Sequence, residues 1–259
     1  MIELDNVSLA YAGRTGPVLA LEGADIKVAK GEFAAVVGPS GCGKSTLMKL
    51  VTGLVKPTQG VVMVNGSQVN GPVKLAGMAF QNSNLLPWRT VIENLMLPLE
   101  IVEPYRSNFR SKKDEYRAKG EKLLDTVGLT GFADRFPWEL SGGMQQRASL
   151  CRSLIHEPAL LMLDEPFAAL DAFTREELWC VMRDIWERLR FTVVLVTHDL
   201  REAAFLADTI HIMSARPGKI IESRHVDFAR PRHLDVCYSS PFTDLVHQLR
   251  NKIAEVRQA

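Results

Sequence analysis

A glycine-rich run in this sequence has the residue types and spacing that bind phosphate groups. It reads Gly38-Pro39-Ser40-Gly41-Cys42-Gly43-Lys44-Ser45-Thr46 and fits the pattern G-x-x-x-x-G-K-[ST]. Apolar segments lie on either side, Phe33 to Val37 before it and Leu47 to Leu54 after it, and they are typical of a strand and a helix. A glycine-rich turn could match the pattern by chance, but the order of strand, loop and helix favours a nucleotide-phosphate loop.

The expected chemistry of this loop follows from its backbone and side chains. Backbone N–H groups at a helix start point towards an anion and stabilise it. Lys44 is expected to reach the β- and γ-phosphates, and the Ser45 hydroxyl to bind a Mg²⁺ ion held between them. Cys42, which stands beside a lysine at a helix start, is expected to favour its reactive thiolate form.

A second candidate site is an apolar segment, Leu160 to Leu163, that ends in the carboxylates Asp164 and Glu165. Ligands of a parallel α/β sheet gather beyond the carboxyl ends of its strands. Asp164 is therefore expected to approach the Mg²⁺ ion, and Glu165 to orient the attacking water and accept its proton. Two adjacent acids also suit a helix N-cap, but their position after a phosphate loop favours the catalytic interpretation.

The third candidate is Leu140-Ser141-Gly142-Gly143-Met144-Gln145, which precedes a helix-like segment. The Ser141 hydroxyl and the backbone N–H groups of Gly142 and Gly143 suit a second anion-binding helix start. Alone, Ser-Gly-Gly equally suits a linker or a helix cap. Its position between the phosphate loop and the acidic strand favours a functional role.

With these three motifs in this order, the chain resembles the ATP-binding cassette (ABC) family from Tyr11 to about Ile221. The motif from Leu140 to Gln145 is the signature of that family. The resemblance implies a head-to-tail dimer in which each ATP lies between residues 38–46 of one copy and residues 141–143 of the other. A working unit therefore needs a second copy of this chain or a related ATPase subunit.

The resemblance also implies roles for four further residues. Tyr11 is expected to stack on adenine, and Gln81 to sense both the Mg²⁺ ion and the water. His198 is expected to contact the γ-phosphate, and Asp171 to lie in a loop that communicates across the dimer. Each has an ordinary alternative: a strand tyrosine, a polar turn residue, a structural histidine and a helix N-cap.

Two positions depart from the commonest residues of the family. Met144 replaces a glutamine of the signature, and it removes no phosphate donor. Ala168 replaces a frequent serine, which puts one hydrogen bond across the dimer, and the coupling between the two ATP sites, in doubt.

An apolar and aromatic cluster, Leu85-Leu86-Pro87-Trp88, follows Gln81 and is a candidate docking surface. Packing of Leu86 and Trp88 in the protein core is the alternative. This cluster and residues 213–220 are similar to the corresponding segments of ATPase subunits from importers of nitrate, sulfonates, taurine and pyrimidine precursors. That resemblance implies a membrane permease that docks here, and a periplasmic or surface solute-binding protein.

Two other functions remain open. One is a soluble cassette ATPase that acts on ribosomes or DNA, although such proteins usually carry a second cassette or a coiled-coil insertion, and this chain has neither. The other is a nucleotide-dependent scaffold without turnover, which conflicts with the presence of Asp164, Glu165 and His198.

These candidates need elements to hold them, and the apolar patterns predict an α/β fold. We expect a mixed sheet with flanking helices, an antiparallel β subdomain near the N-terminus and an inserted α-helical subdomain. Residues 1–226 would form one nucleotide-binding domain, with the helical subdomain at about 85–156, and residues 227–259 a short extension with a helix. The predicted strands include 33–37, 160–163, 193–196 and 209–213, and the predicted helices include 91–102, 112–127, 144–155, 172–189 and 242–256.

Composition limits the partners and the location. The chain has 259 residues, 46% of them hydrophobic, which is ample for a buried core, and its 31 basic and 30 acidic residues give no reason to expect nucleic acid as a partner. No apolar run approaches the roughly eighteen residues that span a bilayer, and no secretory signal is evident. Four cysteines without a C-x-x-C pair suit a reducing compartment. We therefore expect a cytoplasmic chain, peripheral on the inner face of the cell membrane.

Overall fold

The structure is a computed structural model that describes residues 1–13 and 16–258. The strands are β1 (Ile2–Gly13), β2 (Gly16–Val28), β3 (Phe33–Val37), β4 (Gln59–Val64), β5 (Ser67–Gln68), β6 (Ala76–Ala79), β7 (Leu160–Asp164), β8 (Thr192–Thr197), β9 (Thr209–Met213) and β10 (Ile220–His225). The helices are α1 (Lys44–Val51), α2 (Val91–Ile101), α3 (Tyr105–Asn108), α4 (Lys113–Thr126), α5 (Gly142–Leu154), α6 (Ala172–Leu189), α7 (Leu200–Leu206) and α8 (Ser240–Gln258).

The chain divides into two compact units, and the first contains residues 1–73 and the segment from Trp186 onward. In this unit β1 pairs antiparallel with β2 and β4, which is the antiparallel β subdomain expected from the sequence. Strand β3 pairs parallel with β8 and β9, and β10 adds an antiparallel edge strand next to β9. Every residue of β3 and β8 is buried, as continuous apolar runs predict for central strands. The mixed α/β fold class is confirmed.

The second unit contains residues 74–185. Strands β6 and β7 pair in parallel, and α2 packs against α4 and α5. Helix α2 begins with a capping box, in which the Thr90 hydroxyl accepts a hydrogen bond from the Glu93 N–H and the Glu93 carboxylate accepts one from the Thr90 N–H. This cap fixes where the chain turns from the loop after β6 into the helices.

The apolar pattern predicts most elements, and β3, α6 and β9 have the predicted bounds. Helix α7 was not predicted. It has only seven residues, and so short a segment carries little of the 3.6-residue periodicity that marks a helix. Helix α1 begins at Lys44 and not at Leu47, because its first turn consists of the polar residues of the phosphate loop.

Candidate functional site

In the first unit, the phosphate loop and His198 follow the ends of two neighbouring strands. Both therefore begin at the same edge of the sheet. Strands β3 and β8 are parallel, and their last residues, Val37 and Thr197, are paired. Gly38 follows Val37 and His198 follows Thr197, so both begin at the carboxyl ends of the two strands. That is where ligands of parallel α/β sheets bind.

Glycines allow the loop from Gly38 to Thr46 to adopt backbone conformations that would be strained for residues with a side chain. Gly41 has a φ of 76° and Gly43 a φ of 106°, both in the left-handed region. A Cβ atom on Gly43 would lie 2.9 Å from the carbonyl oxygen of Ala20. Gly43 is also the N-cap of α1, so the loop runs directly into the first turn of a helix, and the N-terminal end of a helix favours an anion. This arrangement fits a phosphate group.

Lys44 is held inside the loop by backbone carbonyls. Its Nζ atom donates hydrogen bonds to Gly38 O at 2.9 Å and Pro39 O at 3.0 Å, and the side chain is only 7% exposed. The carbonyl partners of this buried ammonium group are neutral. An anionic ligand is the natural partner of this charge.

The expectation of a reactive Cys42 thiolate is wrong. Burial raises the pKa of the Cys42 thiol, and the opposing effect of the nearby Lys44 charge is smaller. The side chain is 1% exposed, with its Sγ atom 3.9 Å from Lys44 Nζ. Cys42 therefore contributes its backbone to the loop, and its side chain packs in the core.

Gly218 packs against the backbone of the phosphate loop, and no motif in the sequence predicts this contact. A Cβ atom at this position would lie 2.0 Å from the carbonyl oxygen of Cys42. Gly218 also exchanges backbone hydrogen bonds with β2: its N–H donates to Ala20 O, and its carbonyl accepts from the Glu22 N–H. The Pro217-Gly218 pair marked only a turn, and the contact with the loop has no local sequence signal.

Tyr11 lies at the phosphate loop, within reach of its last residue. The Tyr11 hydroxyl donates to Thr46 Oγ1 at 3.5 Å, and the ring is partly exposed near the end of β1. An exposed aromatic ring next to a phosphate loop provides a flat apolar surface for a nucleotide base. The stacking role remains a prediction.

His198 stands exposed on a rigidly held turn. The Thr197 hydroxyl donates to the Glu202 carboxylate at 2.9 Å and accepts the Asp199 N–H at 3.0 Å. The Asp199 carboxylate caps α7 by accepting the N–H groups of Arg201 and Glu202. Because the residues on both sides are fixed, the backbone at His198 is fixed too.

In the second unit, Gln81 and Glu165 come together beyond the ends of β6 and β7. Gln81 Nε2 donates to Glu165 Oε2 at 3.3 Å. Glu165 has a φ of 46°, which is uncommon for a residue with a side chain and is often found at functional sites. Asp164 precedes it as the last residue of β7. The structure thus brings one amide and the proposed catalytic carboxylate within hydrogen-bond distance of each other.

The signature residues form a helix start in the same unit. Ser141 is the N-cap of α5, and its hydroxyl accepts the Met144 N–H at 3.3 Å. Ser141 and Gly142 are exposed, and the backbone N–H groups of Gly142 and Gly143 belong to the first turn. Such a turn presents unpaired donors to solvent, so it can bind an anion.

Gln145 connects this helix start to the segment after Gln81, a role that the sequence analysis missed. Its Oε1 atom accepts the Ser83 hydroxyl at 3.1 Å, and its Nε2 atom donates to Pro137 O at 3.0 Å. The amide side chain of Gln145 thus joins the segment after Gln81, through Ser83, to the segment before Ser141, through Pro137. A glutamine within a helix carries no sequence signal for such a contact.

Asp171 begins α6 and acts there as an N-cap. Its Oδ1 atom accepts the Thr174 N–H at 3.0 Å, and this hydrogen bond holds the pKa of the Asp171 carboxyl below its usual value. The residue is exposed, as are the preceding Ala168 and Ala169. The capping role and a role at an interface are compatible, because a carboxylate accepts several hydrogen bonds.

The cluster Leu85-Leu86-Pro87-Trp88 forms an ordered, partly exposed loop. Asn94, which is fully buried, accepts the Leu86 N–H at 2.7 Å and donates to the carbonyls of Leu86 and Arg89. Trp88 is 70% exposed, so the alternative that it packs in the core is wrong. A rigid loop that holds an indole ring in solvent suits a binding surface.

Fold and site together define a class of protein. A phosphate loop between a buried parallel strand and a helix, together with a strand that ends in carboxylates, is the arrangement of a P-loop nucleoside triphosphatase.

Comparisons with known proteins narrow this class. Residues 21–168 match the family described as ABC transporter. The aliphatic sulfonates import ATP-binding protein SsuB of Bacillus thuringiensis is 41% identical over 233 residues, which are 90% of this chain and 88% of that protein. The taurine import ATP-binding protein TauB of Yersinia pestis is 39% identical over 230 residues, which are 89% and 86% of the two chains.

Solved structures agree with these relatives. The dimeric structure of MJ0796, a bacterial ABC transporter cassette, superposes with a TM-score of 0.77 at 30% identity and covers 88% of this chain and 100% of that one. A dimeric post-hydrolysis state of the same cassette, bound to ADP and Pi, gives a TM-score of 0.76. This chain therefore belongs to the ABC transporter family, and it is an ATP-binding cassette with ATPase activity.

Within residues 1–13 and 16–258, no helix combines the length and the apolar character that crossing a bilayer requires.

Proposed function

We propose that this ATPase drives the import of a small solute through a membrane permease. The observation that carries the proposal is the similarity, near 40% identity over about nine-tenths of the chain, to proteins named for sulfonate and taurine import. The solute class is a sulfonate, taurine, nitrate or a pyrimidine precursor. Selectivity would lie in the permease and in a periplasmic or surface solute-binding protein.

The proposed hydrolysis assigns a role to each candidate residue of the site. Lys44 and the N–H groups of α1 bind the phosphates, and Glu165 orients water and accepts its proton as the water attacks the γ-phosphate. His198 contacts the γ-phosphate, and Gln81, which is hydrogen-bonded to Glu165, keeps that carboxylate in place. Tyr11 stacks on the adenine ring.

A Mg²⁺ ion is proposed to accompany ATP. The residues assigned to it are Ser45, Gln81 and Asp164, and they offer a hydroxyl, an amide and a carboxylate oxygen. Oxygen donors of this kind are the ligands that Mg²⁺ prefers. When bound, the ion would neutralise charge on the β- and γ-phosphate oxygens.

The proposed working form is a dimer, with a second copy of this chain or a related subunit. Each ATP would lie between residues 38–46 of one copy and residues 141–143 of the other, and Asp171 would lie in the loop between the two sites. The exposed helix start at Ser141 and the dimeric state of the MJ0796 cassette support this arrangement.

We also propose that the permease docks on the loop from Leu85 to Trp88 and on the helical subdomain at about residues 85–156. This places the chain on the cytoplasmic face of the membrane, held there by its permease. Residues 1–226 form the nucleotide-binding domain in this proposal, and residues 227–259 form an extension.

The test is purification of the tagged chain from gently solubilised membranes of its own host, followed by mass spectrometry. The expected result is recovery of a multi-span permease, reduced by Trp88→Ala and unchanged by Tyr238→Ala, which removes an equally exposed aromatic ring from the extension. Recovery of ribosomal or DNA-bound proteins, without a membrane protein, would contradict the proposal and favour a soluble cassette ATPase.

A further inference from the structure

The C-terminal extension, residues 227–259, contacts helix α7, which follows His198. Arg232 is buried, and its Nη1 atom donates to the carbonyl oxygens of Ala204, Phe205 and Ala207 at 3.2, 3.0 and 2.7 Å. These carbonyls lie at the C-terminal end of α7, where backbone acceptors lack partners within the helix. The guanidinium satisfies them, and its charge suits the negative end of the helix dipole.

The extension also reaches the other end of α7. Helix α8 packs against α7, and a cavity of about 490 Å³ opens beside the N-terminal end of α7. The residues that line this cavity come from the phosphate loop, the start of α7 and the last turns of α8: Gly38, Ser40, His198, Leu200, Arg250, Ile253 and Ala254. One cavity therefore joins the extension to the phosphate loop.

Among the described residues that line this cavity, Arg250 is the one with a permanent formal charge. Arg250 is an exposed cation on α8, and no carboxylate is among the described residues that line the cavity. The opposite side of α8 differs, because Lys252 shares a second cavity with Glu222 and Glu255. The Debye length is about 8 Å at physiological ionic strength, so salt screens the charge of Arg250 in part, and its effect on a phosphate group at the edge of the cavity weakens as ionic strength rises.

We propose that Arg250 is a specificity-determining residue that favours ATP over ADP. The inference rests on the proposed function, in which His198 contacts the γ-phosphate. ATP carries about one negative charge more than ADP, at the end of the chain of phosphates that His198 faces. A positive charge in the cavity beside His198 therefore stabilises ATP more than ADP. Arg232 contributes by fixing the extension, and with it α8, to α7.

The test compares the dissociation constants of ATP and ADP in four proteins by isothermal titration calorimetry. Arg250→Ala is expected to weaken ATP binding by about three- to tenfold and ADP binding by less than about twofold. Arg250→Lys is expected to restore the wild-type ratio. Lys252→Ala, which removes a lysine of the same helix on its other side, is the matched control and should leave both constants unchanged.

The proposal is overturned if Arg250→Ala keeps the wild-type ratio of the two constants, or if Lys252→Ala changes that ratio equally. Its failure is distinguishable from failure of the proposed function. If the wild type hydrolyses ATP and copurifies with a permease while Arg250→Ala binds normally, only the role of Arg250 is wrong. If Arg250→Ala changes the ratio as expected while the wild type copurifies with no permease, the proposed import function is wrong and the role of Arg250 stands.

Discussion

Gln81 and Glu165 are joined by a hydrogen bond of 3.3 Å between the amide nitrogen and a carboxylate oxygen, although 84 positions separate them in the chain. The register of β6 and β7 explains the contact. Ala79 and Leu163 are paired in these parallel strands, and Gln81 and Glu165 each lie two positions further on. The sheet thus delivers both side chains to the same edge, where the amide fixes the carboxylate.

The first prediction concerns the carboxylate of this pair. Glu165→Gln keeps the shape of the side chain and removes the base, so the turnover rate should fall by at least about a hundredfold while ATP still binds. Release of phosphate and binding of a fluorescent ATP analogue measure the two effects separately.

The control for this variant is Glu115→Gln, on an exposed face of α4, where Glu115 pairs with Lys112. It should hydrolyse ATP at the wild-type rate. Wild-type turnover in Glu165→Gln would remove Glu165 from the role of general base.

The second prediction tests the buried ammonium of the phosphate loop. Lys44→Ala removes a charge-assisted donor, so ATP affinity should fall by about ten- to a hundredfold. The rise in melting temperature that saturating ATP gives the wild type should then be lost. Lys49→Ala, on the exposed side of α1, is the matched control and should keep the shift. A full thermal shift in Lys44→Ala would show that the phosphates bind elsewhere.

The third prediction concerns the glycine behind the loop. In Gly218→Ala the new methyl group would start 2.0 Å from Cys42 O, so the phosphate loop must move. Crowding of this kind costs on the order of 1–3 kcal/mol of stability, and the displaced loop should also bind ATP less tightly. Urea denaturation and nucleotide titration measure the two effects.

Gly71→Ala is the control for crowding, because nothing lies within 4 Å of a Cβ atom at that position. It should resemble the wild type in both assays. If Gly218→Ala has the stability and the ATP affinity of the wild type, the close contact between Gly218 and the loop contributes to neither.

The fourth prediction concerns cysteine reactivity. Burial raises the pKa of both Cys42 and Cys180, but Cys180 is partly exposed whereas Cys42 is buried. At pH 7 both thiols stay protonated, so labelling should be slow and should accelerate as the pH rises towards their pKa values. Peptide mass spectrometry after maleimide treatment should find Cys180 modified first. Faster labelling of Cys42 at neutral pH would restore the thiolate expected from the sequence.

Much of the fold could be read from local patterns. The buried strands β3 and β8 are continuous apolar runs, and the motifs from Gly38 to Thr46 and from Ser141 to Gly143 mark the starts of α1 and α5. Steric limits on backbone shape act within a few residues, so such features are visible in the sequence. The thiol of Cys42 was misjudged because its pKa depends on burial, which a local pattern does not give.

The sequence by itself determined which chemical groups the candidate site offers: the glycines and Lys44 of the phosphate loop, the carboxylate of Glu165 and the imidazole of His198. Only the tertiary structure decided what supports them, namely the close approach of Gly218 to Cys42, the bridge made by Gln145 and the position of Arg250 beside the loop. The physical reason is that these contacts join residues far apart in the chain. Strand register and core packing create them, and both depend on residues distant in the chain as well as on the local pattern.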